Sequence, residues 1–228
     1  MTPRKGIFIT GTDTDAGKTY VGTQIVSLLH QDKINAVPRK PVESGCKRVG
    51  DELVPQDAVQ YYEAANRKFA LSELCPFRFE PAISPQRAAR LAHQPVYTEE
   101  LHAKCIQGTG RDDFLVVEGA GGFYSPLCED GTNASLAKRL GLPVLLVAND
   151  KLGCINHVLL TVEAIHSHGL SVCAVILSQT SAGDTPVMDN CEDLGLLLEV
   201  PLFSFFHQER LQEATDKATL ILQTVRRH

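Results

Sequence analysis

The 228-residue chain sets 22 Lys and Arg against 27 Asp and Glu, for a formal net charge of -5 and a pI near 5.9. That balance, with no clustered Lys/Arg, argues against a nucleic-acid partner, and apolar stretches such as Leu142–Ala148 fall far short of the roughly 20 residues that a membrane helix needs. The length suits one α/β domain spanning residues 1–228, and Met1–Lys5 runs into a strand-like segment with no signal-peptide pattern, so a cytoplasmic location is expected.

In chain order, Gly6–Thr10 reads as a strand, followed by a glycine-containing loop and the helical pattern Thr19–His30. Ile34–Val37 reads as a second strand, and helices are expected at Gln56–Asn66, Pro85–His93 and Thr98–Gly108. Asp113–Glu118 reads as a buried strand, Asn133–Leu140 as a helix, Pro143–Asn149 as a strand, Ile155–His168 as a helix and Val172–Ser178 as a strand. Thr185–Leu197 and Gln208–Arg227 close the helical set. Alternating helices and apolar strands predict a doubly wound, mainly parallel sheet flanked by helices, with ligands beyond the carboxyl ends of the strands. The seven cysteines, at 46, 75, 105, 128, 154, 173 and 191, form neither a disulfide framework nor a C-x-x-C metal site, and are expected as reduced thiols. The eight scattered histidines, including His166 and His168 at a helix end, suggest no metal site.

Three segments carry chemistry. Gly11-Thr12-Asp13-Thr14-Asp15-Ala16-Gly17-Lys18-Thr19 joins a strand to a helix, the context in which backbone N–H groups and a helix N-terminus cradle phosphates. It predicts a P-loop NTPase-like fold, with Lys18 reaching the β- and γ-phosphates and the Thr19 hydroxyl serving Mg²⁺. The first glycine stands one residue earlier than in the strict pattern. Next, Phe114–Glu118 ends a buried strand in a carboxylate suited to Mg²⁺ or to capping the following turn, and Gly119–Gly122 lets backbone approach a ligand. Asp57, near a helix start, is taken alone a partner for the helix dipole. Finally, Gly153-Cys154-Ile155-Asn156 precedes a helix, whose first N–H groups attract a carboxylate; Asn156 as helix cap and Cys154 as core filler is the alternative.

Gly-Thr-Asp-Thr-x-x-Gly-Lys-Thr at 11–19, Lys-Pro-Val-x-Ser-Gly at 40–45, Val-Glu-Gly-Ala-Gly-Gly at 117–122 and Lys-Leu-Gly-Cys-Ile-Asn-His at 151–157 together resemble the dethiobiotin synthetase family from about residue 5 to 180. The resemblance implies an ATP-dependent ligase. It would take 7,8-diaminononanoate and CO₂ to a carbamate, phosphorylate the carbamate and close a cyclic urea, with Mg²⁺ as cofactor. It further implies that Lys18 and Lys40 flank the carbamate and γ-phosphate as catalytic cations, that residues 12–19 hold the nucleotide together with Glu118, and that Thr19, Asp57 and Glu118 supply the Mg²⁺ oxygens. Thr14, Lys40, Ser44 and Gly119 would meet the substrate. Cys154, Ile155 and Asn156 would hold its carboxylate across the interface of a homodimer, and Pro201–Gln208 would correspond to a family loop that closes over the base.

Two positions depart from the family. Asp15 stands where Glu is common, and Ser178-Gln179 stand where Asn-Asp reads adenine, which leaves base preference open although Gln179 still offers an amide. Three rival readings share the loop. A partitioning-type ATPase would carry a lysine at position 13, where this chain has Asp13; a large-substrate amide ligase would need room for a glutamine-hydrolysing domain; a non-enzymatic scaffold would leave Lys40 and Ser44 without a catalytic role.

Overall fold

The computed structural model describes residues 4–179, 188–206 and 211–226. Its strands are β1 (Gly6–Gly11), β2 (Ala36–Arg39), β3 (Val42–Ser44), β4 (Lys47–Val49), β5 (Glu52–Val54), β6 (Phe77–Phe79), β7 (Phe114–Gly122), β8 (Pro126–Cys128), β9 (Gly131–Thr132), β10 (Val144–Asn149), β11 (Val172–Gln179) and β12 (Leu202–Phe206). Its helices are α1 (Lys18–Gln31), α2 (Gln56–Ala64), α3 (Leu71–Leu74), α4 (Pro85–Leu91), α5 (Thr98–Ile106), α6 (Asn133–Leu140), α7 (Cys154–Ser167), α8 (Asn190–Gly195) and α9 (Leu211–Val225).

Six strands form one parallel sheet in the order β12-β11-β10-β1-β7-β2. Successive side chains of a strand point to opposite faces, and here both faces are apolar. Along β10, Val144, Leu146 and Ala148 enter one core while Leu145 and Val147 enter the other. Helices α1, α2 and α9 cover the second core through residues such as Val21, Ile25, Tyr61 and Leu222, and α4 to α7 cover the first through residues such as Ala88, Leu101, Leu136 and Val158. Burial on both faces explains why the central strands read as unbroken apolar runs.

The expected elements between residues 6 and 178 are present, with ends shifted by a few residues. The largest shift is in β7, which continues past Glu118 through the glycine run to Gly122 because Gly122 pairs with Gly11 of β1. Pro201–Gln208 departs from expectation: Leu202–Phe206 is not a loop but edge strand β12, paired to β11 from Val175↔Leu202 to Gln179↔Phe206, while His207 and Gln208 lie outside the described residues. The helix expected at Thr185–Leu197 is the shorter α8, and Thr185–Val187 also lie outside the described residues. Among the described residues no helix is long and apolar enough to cross a membrane.

Strand β1 sits between β10 and β7. The chain leaves it toward β2 on one side and later returns to build β10, β11 and β12 on the other. Such a reversal opens a crevice beyond the carboxyl ends of the strands, where ligands of open α/β sheets bind.

Candidate functional site

The loop between β1 and α1 owes its shape to two glycines. Gly17, the N-cap of α1, has φ 93°, and Gly11 has no space for a side chain: a Cβ there would lie 2.6 Å from the Asp13 carbonyl oxygen and 3.0 Å from Lys18 Nζ. The early first glycine therefore has a steric reason. It lets the Lys18 ammonium fold back over the loop, where it donates to the Asp13 carbonyl at 2.8 Å. The backbone N–H of Thr12 donates to Val147 of β10, and that of Thr14 to the Asp13 carboxylate, so these two residues brace the loop. Asp15, exposed and at φ 56°, forms its outer bend, and Ala16 is buried beneath it.

Residues Thr14 to Thr19 border a cleft of about 630 Å³ that Lys40, Ser44, Asp57 and Glu118 also line. On its floor the Lys40 ammonium lies 2.8 Å from Asp57 Oδ2 and 2.5 Å from Glu118 Oε1, and donates at 3.1 Å to the Gly119 carbonyl. The Thr19 hydroxyl donates to the same Glu118 oxygen at 2.9 Å. Ser44 Oγ donates to the Ile83 carbonyl at 2.6 Å. Residues from the β1–α1 loop, the β2–β3 junction, β3, α2 and β7 thus meet in one place.

The electrostatics follow from burial. Burial and the neighbouring charge of Lys40 pull Lys18 down to about 8, against the pull of Glu118, Asp57 and Asp15. At Lys40 burial acts downward too, but Glu118, Asp57 and Glu43 outweigh it and hold the ammonium protonated well above the ordinary lysine range. Asp57 is raised by burial and lowered more by Lys40, Thr19 and Lys18, so it ends below the usual carboxylate range. Glu43, buried beside Asp57, is held up to about 7, although Lys40 and two backbone amides pull it back.

The donor set fits a hard divalent cation. Glu118 Oε2 is sealed from solvent without a hydrogen-bond partner among the described residues, and Asp57, Glu118 and the Thr19 hydroxyl are oxygen donors converging where Lys40 already places a positive charge. Among the described residues no group of three or more His, Cys, Asp or Glu forms a metal cage. Mg²⁺ does not require one, since it binds through one or two carboxylates together with phosphate oxygens and water.

Other expected residues lie outside this cleft. Ser178 and Gln179 end β11, Ser178 fully buried and its carbonyl accepting from Asp150 N–H at 2.9 Å. Cys154, Ile155 and Asn156 are the first turn of α7. Cys154 is buried in the core, and Asn156 is exposed within that turn; the N-cap is Gly153, which brings no side chain.

Sequence reasoning missed three residues. Asn133 is fully buried and clasps the glycine run, donating to the Ala120 and Gly122 carbonyls at 2.7 and 2.8 Å and accepting from Ala120 N–H at 3.0 Å. Gly119 is required beside it, since a Cβ there would lie 2.3 Å from Asn133 Oδ1. Tyr61 packs its buried hydroxyl against Gly22 of α1, near enough to Glu118 for that carboxylate to add to burial in raising the phenol's pKa. Glu43 accepts hydrogen bonds from the first turn of α2. None of the three carried a signal of its own in the sequence; Asn133 was read only as the first residue of a helix.

The chain matches the family described as AAA domain over residues 5–214. It is 41% identical over 182 residues to the ATP-dependent dethiobiotin synthetase BioD of Anaeromyxobacter dehalogenans, covering 80% of each chain. The chain belongs to the dethiobiotin synthetase family. The corresponding enzymes of Pseudoalteromonas translucida (37% identity, 88% of each chain) and Cellvibrio japonicus (39%, 82% of this chain and 81% of the other) agree. Among solved structures, a ParA family ATPase from Chlorobium tepidum shares the fold at TM-score 0.55 and 12% identity, covering 97% of this chain and 90% of that one. The signal recognition particle receptor FtsY of Elizabethkingia anophelis does so at TM-score 0.54 and 10% identity, covering 99% and 66%.

Proposed function

We propose that the protein is an ATP-dependent dethiobiotin synthetase, a ligase that closes the ureido ring of dethiobiotin from 7,8-diaminononanoate and CO₂. Family membership supports the reaction. The observation that carries the assignment of residues is that Lys18 of the phosphate loop and Lys40 share one cleft with Asp57 and Glu118.

In this reading an amine nitrogen of the substrate bonds to CO₂ and loses a proton, giving a carbamate. A carbamate oxygen takes the γ-phosphoryl group, and the bond to ADP breaks. The second amine then attacks the carbonyl carbon and gives up a proton, phosphate departs with the C–O bond electrons, and the ring closes. Lys18 and Lys40 hold positive charge where phosphate and carbamate oxygens gather, and such preorganised charge is the main means of lowering a phosphoryl-transfer barrier. Lys40 is held protonated by Asp57 and Glu118, so it enters the reaction as a cation and not as a base. Ser44, Thr14 and the Gly119 backbone would orient the amine and carbamate. Thr19, Asp57 and Glu118 would hold Mg²⁺, which when bound neutralises phosphate charge.

Residues 12–19 would cradle the triphosphate, and Gln179 at the end of β11 would face the base, with Ser178 buried behind it. The uncapped start of α7, at Cys154 to Asn156, would receive the substrate carboxylate of a second copy in a cytoplasmic homodimer. The test is incorporation of labelled bicarbonate into acid-stable product by purified protein with diaminononanoate, Mg²⁺ and ATP, GTP or CTP. Incorporation that requires both diamine and nucleotide supports the ligase, and its ratio among nucleotides reports how Gln179 reads the base. Nucleotide hydrolysis without incorporation would favour the ATPase-switch reading.

A further inference from the structure

Helix α2 begins without a cap of its own. Its N-cap is Pro55, which offers no side-chain acceptor, and no side chain at the N-cap closes the first turn. The amides of Asp57 and Ala58 donate instead to the two carboxylate oxygens of Glu43, at 3.0 and 3.1 Å, from strand β3 on the other side of the β4–β5 hairpin. Glu43 is only 6% exposed, so these bonds are shielded from water.

This arrangement bears on Asp57. An Asp in a first helical turn competes for the free amides of that turn, because its short side chain bonds nearby backbone readily. With both amides taken by Glu43, the Asp57 carboxylate is left to face Lys40 at 2.8 Å. We propose that Glu43 is a positioning residue that caps α2 from outside the helix and thereby holds Asp57 toward Lys40 and the divalent cation. The part concerning the cation rests on the function proposed above; the cap does not.

The test compares Glu43→Ala, Glu43→Gln and the double variant Glu43→Ala/Pro55→Asp, in which a local N-cap replaces the distant one. Amide exchange at Asp57 and Ala58 is followed by NMR in the full-length protein, and Mn²⁺ affinity with a non-hydrolysable ATP analogue by electron paramagnetic resonance. Glu43→Ala is expected to speed exchange of those two amides about tenfold, within the range of a lost cap, and to weaken Mn²⁺ binding about tenfold, as loss of a residue that orients a metal ligand does. Glu43→Gln should fall between, and Pro55→Asp should restore both. Unchanged exchange in Glu43→Ala, or no recovery in the double variant, overturns the proposal. Should Glu43→Ala not fold, Glu43→Gln and the double variant supply the same comparison. Asp57→Asn run in parallel separates the two readings. If it leaves Mn²⁺ binding unmoved, the cation role of Asp57 fails while the cap stands on exchange and rescue; if it weakens Mn²⁺ and Glu43→Ala does not, Glu43 does not position Asp57.

Discussion

Lys40 brings together a buried ammonium, two carboxylates and a backbone carbonyl, and each alone would be unfavourable in that place. Removing the cation leaves Asp57 and Glu118 facing each other and takes away a charge that stabilises phosphoryl transfer. Lys40→Ala is therefore expected to lower kcat by roughly two orders of magnitude or more, measured as ring closure under saturating substrates. Lys18 carries a pH prediction. In the free protein it loses its proton near pH 8, whereas a bound triphosphate favours the charged form. Nucleotide affinity should hold steady from pH 6 to about 7 and then fall, approaching tenfold per pH unit above about 8, in a calorimetric titration. The strand–loop–helix context pointed to Lys18 and Thr19 and the strand-ending carboxylate to Glu118, while Lys40, Ser44 and Asp57 came from the family resemblance; all six line one cleft. Glu43, Tyr61 and Asn133 were not legible in the sequence, since their work is done on partners brought near only by folding. Asn133→Ala would strip the Ala120 and Gly122 carbonyls of their buried donor, and urea unfolding should show a loss of about 2–3 kcal/mol.

Helix α1 shows how an element is fitted to the site it supports. Gly22 sits in its interior, where Ala would form helix better by about 1 kcal/mol. Yet a Cβ at that position would lie 1.8 Å from the Tyr61 hydroxyl, with the ring bounded by both helices. Gly22→Ala is expected to lower the melting temperature despite its better propensity, and a shorter Tyr61→Leu in the same chain to recover part of the loss; a gain in stability from Gly22→Ala alone would contradict this packing. Strand β12 is the element that local reading lost. Leu202–Phe206 follows a proline, holds a serine at its centre and lies at the sheet edge, so neither strict alternation nor a long buried run announces it. Its strand character comes from pairing with β11, a contact made 27 residues away in sequence. The central strands needed no such partner to be recognised, because burial on both faces writes itself into composition.

Two cores on opposite faces of one parallel sheet bury most of the cysteine side chains. Of the seven, all free, six are buried and Cys191 alone is partly exposed. Burial also pushes Cys105 and Cys173 up to about 12. A thiol reagent at pH 8 should therefore modify about one thiol quickly in the native protein and all seven after denaturation; rapid modification of three or more would contradict the packing described. The same sheet sets the function at the scale of the molecule, since its reversal at β1 brings the phosphate loop, the glycine run and Lys40 to one crevice. In the function proposed above, this crevice moves a phosphoryl group onto a carbamate oxygen. The direct test is to supply CO₂ labelled with ¹⁸O in a short incubation with diaminononanoate, Mg²⁺ and ATP, and to weigh the inorganic phosphate released. One ¹⁸O atom from CO₂ is expected in each phosphate formed; unlabelled phosphate, formed by attack of water on the nucleotide, would contradict transfer to the carbamate.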